Sequence, residues 1–148
     1  EFPIKGVLSQ GKFTYDSKNE LYFGRPLVHA ALLHDELYYY GIVVHHTAEK
    51  VIKNNISVDC PYAKNAVCLK KGKTSHYHLV WNRMQMNLSP GDITPKAKQW
   101  LEKIEETVSG GPRIYIDNTY AIIQYDSEHF EESVKLKDNT NVTTGYSM

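Results

Sequence analysis

The sequence lacks the features that mark nucleic-acid-binding, membrane-spanning and secreted proteins. Lysine and arginine together number 17, as do aspartate and glutamate, so the 148-residue chain has no net charge to attract nucleic acid or an anionic membrane. Its longest apolar runs fall far short of the roughly 20 residues that span a bilayer, and its first residues show no secretory signal pattern. The sequence therefore predicts a cytoplasmic protein with no nucleic-acid or membrane partner.

Cysteine is also scarce, and the two that are present have neither metal-binding nor redox spacing. Seven residues separate Cys60 from Cys68, so the pair forms no C-x-x-C motif. We interpret both as ordinary buried or half-buried thiols. No initiator methionine precedes Glu1, and the expectation is that the chain is a fragment of a longer protein.

The chain does contain enough apolar material for one folded domain. Hydrophobic residues make up 41% of it and charged residues 23%, as in ordinary globular domains. Alternation over residues 3 to 15 predicts a strand interrupted by glycine, and a helix is expected from Pro26, with Gly41 as its end. "GIVVHH" is typical of a buried strand, and Thr47 is the expected N-cap of the helix that follows.

The second half of the sequence predicts a hairpin and two helices. Two strands joined by a Lys-Lys-Gly-Lys turn form the expected hairpin. Residues 113 to 126 favour a helix, and from Ser127 onward the polar composition predicts a loosely attached tail. The strongest helical pattern, which ends before Gly110-Gly111-Pro112, has its apolar face at Ile93, Ala97, Trp100, Leu101, Ile104 and Val108.

Four segments in this order carry a resemblance to a known family. They are "IKGVLSQGKF", "LYFGRPLVHAALLHDEL", "GIVVHHTAEKVI" and "VCLKKGKTSHYHLV". Together they resemble, over roughly residues 4 to 80, the C-terminal half of a class III nucleotidyl cyclase catalytic domain. The resemblance implies an α+β fold with a ferredoxin-like, cyclase-type core, a largely antiparallel sheet and a site shared between two protomers. We assign residues 1–88 to this core, 89–126 to a helical extension and 127–148 to the polar tail.

The chain departs from the family at the positions that carry its chemistry. Counted from Gly24, the residues that would read the base, orient the ribose and stabilise phosphate charge are Leu21, Val28 and Leu32, all of them apolar. The two metal-binding aspartates of the family fall upstream of the matching segments. The resemblance therefore implies no cofactor in this chain, with Mg²⁺ or Mn²⁺ relevant only if upstream acidic residues exist.

Two functions follow from this departure. The first is a nucleotide-signalling domain that is catalytically degenerate or incomplete, with a nucleoside triphosphate as its possible ligand. The second is an interaction module in which the cyclase fold survives as a dimerisation scaffold. Either way, we expect a homodimer or a missing N-terminal segment to cover apolar sheet surface.

The histidines supply a third hypothesis, a two-histidine phosphoesterase. His45-His46-Thr47 fits the H-x-T pattern of such enzymes, and His76-Tyr77-His78 is the candidate second motif, although it lacks the expected Ser or Thr. The candidate acid and base are His46 with His76 or His78. His76 and His78 are also candidate metal ligands on one strand face, and Lys71 is a weak candidate for phosphate contact.

Overall fold

The computed structural model describes residues 3–55, 62–83 and 94–138, and these residues form an α+β fold, as predicted. The helices alternate with short strands in the first half of the chain and follow one another in the second half. In chain order the elements are β1 (Gly6–Leu8), β2 (Thr14–Asp16), β3 (Leu21–Phe23), α1 (Arg25–Glu36), β4 (Ile42–Val44), α2 (His46–Asn55), β5 (Tyr62–Leu69), β6 (Gly72–Leu79), a 3₁₀ turn (Trp81–Arg83), α3 (Thr94–Glu105) and α4 (Gly111–Asp138).

A mixed four-stranded sheet with the order β1-β4-β6-β5 forms the centre of the molecule. β1 pairs in parallel with β4, whereas β6 pairs antiparallel with both β4 and β5. β4 consists of three β-branched residues, which favour strands and suit a central, buried position. β2 and β3 form a separate antiparallel hairpin that precedes α1.

The helix that begins near Pro26 ends earlier than the sequence indicates. α1 stops at Glu36, and Leu37 takes an extended conformation and bridges to Leu69 of β5. Leu37 and Tyr39 are completely buried in the core, which requires the chain to leave the helix before Gly41. Gly41 has a different role, since a Cβ there would lie 2.4 Å from the Tyr39 ring.

The second helix also begins at a different residue from the one predicted. α2 starts at His46, so Thr47 lies inside its first turn rather than at the N-cap. The Thr47 hydroxyl accepts a hydrogen bond from the Gln10 backbone N–H at 3.1 Å and bonds the His45 ring at 3.0 Å. These contacts explain the difference, because Thr47 joins the start of α2 to the segment that follows β1.

The β5–β6 hairpin confirms the prediction. Lys70 and Lys71 form its two-residue turn, and Gly72 closes the turn at φ 132°, a value that favours glycine. α3 likewise confirms the predicted helix as far as Glu105: Ala97 and Leu101 are buried, and Trp100 and Ile104 pack against the same cluster. Val108 packs there too, but it lies beyond the end of the helix, which stops earlier than predicted. Ile93 lies outside the described residues.

α4 is longer than the predicted helix and covers the sheet. It continues past Ser127 to Asp138, so the expected tail begins inside a helix. Ser127 is held in place, because its carbonyl accepts a hydrogen bond from Arg83 at 3.3 Å and its hydroxyl lies 3.2 Å from that of Thr94. Ile122 of α4 packs into the sheet core, while Ile116 and Ile123 pack against α3.

Candidate functional site

The three positions that the resemblance assigns to nucleotide handling lie at the surface. Leu21 begins β3, and Val28 and Leu32 lie one turn apart on α1. They are 55%, 58% and 64% exposed. Their side chains offer no hydrogen-bond donor or acceptor, so they can neither read a base edge nor hold a ribose hydroxyl.

The β2–β3 hairpin and the residue before it also carry exposed aromatic side chains. The Tyr15 and Tyr22 rings stack with centroids 4.7 Å apart, and the Phe13 ring lies 6.0 Å from that of Tyr22. Groups of exposed large apolar side chains are typical of surfaces that bind other macromolecules. We call the set the hairpin surface; its members are Phe13, Tyr15, Leu21, Tyr22, Phe23, Leu27, Val28 and Leu32, all exposed.

Close backbone contacts fix the start of α1 against the hairpin. A Cβ at Gly24 would lie 2.6 Å from the Lys12 carbonyl oxygen, so this approach is open only to glycine. Pro26 is buried in the first helical turn, and its carbonyl accepts a hydrogen bond from the Ser9 hydroxyl at 2.7 Å. The hairpin, β1 and α1 are therefore positioned relative to one another.

Charges of both signs accompany the hairpin surface. Between residues 12 and 36 the basic residues are Lys12, Lys18 and Arg25, and the acidic ones are Asp16, Glu20, Asp35 and Glu36. Hydrogen bonds from the side chain and backbone of Asn19 lower the pKa of Asp16, which keeps that carboxylate charged at the hairpin turn. A surface with mixed charge favours a partner that also carries both signs.

Four histidines from different elements converge beside α1. His29 lies on α1, His45 follows β4, His46 begins α2 and His76 lies in β6. The His45 ring centroid is 4.1 Å from that of His46 and 4.9 Å from that of His29, with which it stacks, and the His29 and His46 rings are 6.4 Å apart. We call these four residues the histidine cluster.

The environment of His45 within the histidine cluster disfavours positive charge. Burial lowers the pKa of His45 below its usual value, and charge on His46 or His29 lowers it further. Charge on His76 also lowers the pKa of His45, whereas the carboxylate of Glu49 raises it. This carboxylate lies 4.0 Å from the ring nitrogen Nδ1 of His76. The folded protein therefore holds a proton on His45 less tightly than the unfolded chain does.

His78 lies apart from the histidine cluster, in the core beneath α4. Its Nε2 is 3.2 Å from Oδ1 of Asp126, and both side chains are almost completely buried. The two atoms lack the alignment of a hydrogen bond. Burial, and then the charge of Asp126, raise the pKa of the nearby Tyr39 well above its usual value. His76 and His78 thus share a strand but face different partners.

Lys71, the weak candidate for phosphate contact, is exposed in the β5–β6 turn, at the opposite end of β6 from His78. In the described ranges 3–55, 62–83 and 94–138, no three His, Cys, Asp or Glu side chains are arranged to hold a metal ion. No helix within those same ranges combines the length and the apolar character needed to cross a bilayer.

A shallow pocket of about 220 Å³ opens between the β5–β6 hairpin and α4. Cys68, Lys73 and Tyr125 are among its lining residues, and none of the predicted site residues is. Cys68 is a buried free thiol, as expected, and burial raises its pKa. A thiol of this kind is a poor nucleophile at neutral pH. Cys60 lies outside the described residues.

Sequence reasoning missed two residues that the structure brings into these contacts. Asp126 pairs with His78, and its position four residues after the buried Ile122 of α4 places it on the same helical face, which is a usable signal. His29 has no such signal, because only the packing of α1 against the end of β4 brings it to His45.

The comparisons with known proteins give no relative. No protein-family profile matches the chain, and neither a curated protein nor a solved structure is similar enough to count as a match.

Proposed function

We propose that the chain is a cyclase-like domain with a ferredoxin-like core that does not form cyclic nucleotides and that associates with a second copy of itself through the hairpin surface. The observation that carries this proposal is that Leu21, Val28 and Leu32 are both apolar and exposed. Where the family has groups for a polar ligand, this chain presents a surface suited to apolar contact.

The order of the elements supports the cyclase-like part of the proposal. A strand, a hairpin, a helix entered through Gly24, a buried strand, a short helix and a second hairpin succeed one another along residues 6–79. This is the order in which the four resembling sequence segments occur. The close contact of Gly24 with the Lys12 carbonyl gives the glycine of the quoted strand-to-helix segment a physical role.

The chemistry of the substituted positions supports the loss of catalysis. Charge that builds on phosphate in the transition state is stabilised by preorganised donors, and removing one such donor typically costs about 10²- to 10³-fold in rate. Val28 and Leu32 supply no donor. We expect no cyclisation of ATP, GTP, CTP or UTP by this chain with Mg²⁺ or Mn²⁺.

The composition of the hairpin surface favours a second copy as the partner. Large apolar and aromatic side chains supply contact area that is stabilised by burial. The accompanying charges, three basic and four acidic, can face their opposites in a copy of the same surface. The resemblance also implies an arrangement in which two protomers meet at the family's site.

Two measurements on the same protein test the proposal. Light scattering over a concentration series is expected to show a species of twice 17.0 kDa at high concentration. Chromatography of each triphosphate after long incubation is expected to show no cyclic product. A mass of 17.0 kDa at every concentration would contradict the association. A cyclic mononucleotide that forms in proportion to protein and disappears with EDTA would contradict the loss of catalysis.

The histidine cluster favours a second candidate function, the two-histidine phosphoesterase. His45 and His46 of the H-x-T motif lie beside His76, so two imidazoles are available as acid and base on neighbouring elements. This candidate predicts hydrolysis of a cyclic phosphodiester that is lost in His46→Ala and retained in His34→Ala. Hydrolysis that is absent, or equal in both variants, would contradict it.

A further inference from the structure

We infer that the histidine cluster is a proton-sensitive contact that holds α1 against the β4–α2 junction, and that protonation weakens this attachment of α1. The contact is built from three parts of the chain. α1 contributes His29, the β4–α2 junction contributes His45 and His46, and β6 contributes His76. His29 is the member on α1, so the attachment of that helix depends on the charge state of its neighbours.

The ring geometry makes the contact favourable only when most of the imidazoles are neutral. His29 stacks on His45 with an interplanar angle of 23°, and His46 lies at an even shorter centroid distance of 4.1 Å from His45. Neutral rings at these distances pack well. Two protonated rings at the same distances repel each other, and the partly enclosed site screens that repulsion less than bulk water does.

The groups that face His45 cannot neutralise several protons. From α1 it faces His29, from β6 it faces His76, and from α2 it faces His46 and Glu49. Glu49 is the one carboxylate among these groups, and it lies nearest the His76 ring. One negative charge can offset one imidazolium, so acidification leaves excess positive charge at the contact.

An unsatisfied ring nitrogen acts in the same direction. The Nδ1 atom of His29 is shielded from solvent and makes no hydrogen bond. As a neutral ring, His29 can leave Nδ1 unprotonated, but an imidazolium carries a proton on each nitrogen. Protonation would therefore bury an N–H group with no acceptor.

The direction of the pH dependence follows from the lowered pKa of His45. Between that pKa and the unfolded value of 6.5, the unfolded chain binds more protons than the folded one. Stability is therefore present above pH 6.5 and is lost as the pH falls through this window. The attachment of α1 is expected to weaken over the same range.

The contact has a consequence for the outer face of α1, which carries Val28 and Leu32. Loosening α1 would disturb the hairpin surface, so acidification is expected to weaken self-association as well. This consequence rests on the proposed function, whereas the proton-sensitive contact itself is a property of the single chain.

Hydrogen exchange at about pH 7.5 and about pH 5.5, corrected for the intrinsic pH dependence of exchange, tests the contact across the range in which histidine titrates. Amides of α1 are expected to exchange several-fold faster at the lower pH, and those of α4 to change little. His29→Gln should lose most of this response. His34→Gln, a matched change on the same helix at a half-exposed side chain outside the histidine cluster, should keep it. Equal responses in the two variants would overturn the inference.

A spectroscopic measurement keeps the test decisive if His29→Gln fails to fold. The ring resonances of His45 in the unaltered protein should titrate below the usual 6.5. Titration at or above that value would overturn the inference. Repeating the hydrogen-exchange measurement in Val28→Asp separates the proton-sensitive contact from the proposed self-association. A pH response that persists in this variant belongs to the single chain. A response that vanishes would contradict an effect of the histidine cluster alone.

Discussion

α1 and the α3–α4 pair differ in how much of their apolar surface is buried. In α1, which the structure describes in full, Pro26 alone is buried, while Leu32 is 64% exposed. In α3, Leu101 is completely buried against the apolar residues of α4. A helix at the edge of a domain normally turns its apolar face inward. The exposed apolar face of α1 is the surface that the proposed self-association would cover.

The largest expected effect is on the free energy of unfolding, and it is seen by replacing one leucine of α3 and one leucine of α1. Leu101→Ala should lower the free energy of unfolding by about 2–5 kcal/mol, because it removes buried contacts and leaves a cavity. Leu32→Ala should change it by less than about 0.5 kcal/mol, as for other exposed positions. Urea unfolding at low protein concentration measures both. Equal losses in the two variants would break the comparison.

Disrupting the buried pair of His78 and Asp126, which lies between the sheet and α4, should lower the free energy of unfolding by a smaller amount. Asp126→Asn removes the charge that faces His78 and leaves a buried imidazole poorly paired, which should cost about 1–3 kcal/mol. Asp117→Asn, at an exposed position on the same helix, is the matched control and should be close to neutral. If the two variants unfold at the same urea concentration, the pair does not stabilise the attachment of α4.

The hydrogen bond between α4 and α3 predicts the smallest effect. The Tyr120 hydroxyl donates to the Lys98 carbonyl at 2.8 Å, and Tyr120→Phe should cost about 0.5–1.5 kcal/mol. Burial and the acidic Glu102 and Glu105 raise the pKa of Tyr120 to about 12. Because this pKa is raised, its contribution is present below pH 10.0, the unfolded value, and is lost as the pH rises toward about 12.

Ultraviolet absorbance measures that ionisation directly. One tyrosine fewer should ionise near pH 12 in Tyr120→Phe than in the unaltered protein. An unchanged titration would show that Tyr120 is not the residue with the raised pKa.

Local patterns predicted the elements that depend on local physics. The apolar face of α3 followed from 3.6-residue periodicity, and the turn before Gly72 followed from turn chemistry. The end of α1 did not follow, since the burial of Leu37 against the sheet decides it. The continuation of α4 past Ser127 does not follow from composition, because a polar segment is compatible with a helix as well as with a loose tail.

The candidate sites, too, are predictable from the sequence only in part. Leu21, Val28 and Leu32 could be named from the sequence, because their positions are counted from Gly24. The exposure of Val28 and Leu32 could not be predicted, because it depends on which face of α1 packs against the core. The partner of His45 on α1 was likewise invisible, since residues distant in sequence meet there only after the chain has folded.

The most direct test of the hairpin surface compares two valines on exposed helical faces. Val28 of α1 is 58% exposed and Val51 of α2 is 46% exposed, so aspartate should be tolerated by the fold at either position. Light scattering at high concentration is the measurement. The account predicts that Val51→Asp keeps a mass of twice 17.0 kDa while Val28→Asp falls to 17.0 kDa. Equal masses for the two variants would contradict association through the hairpin surface.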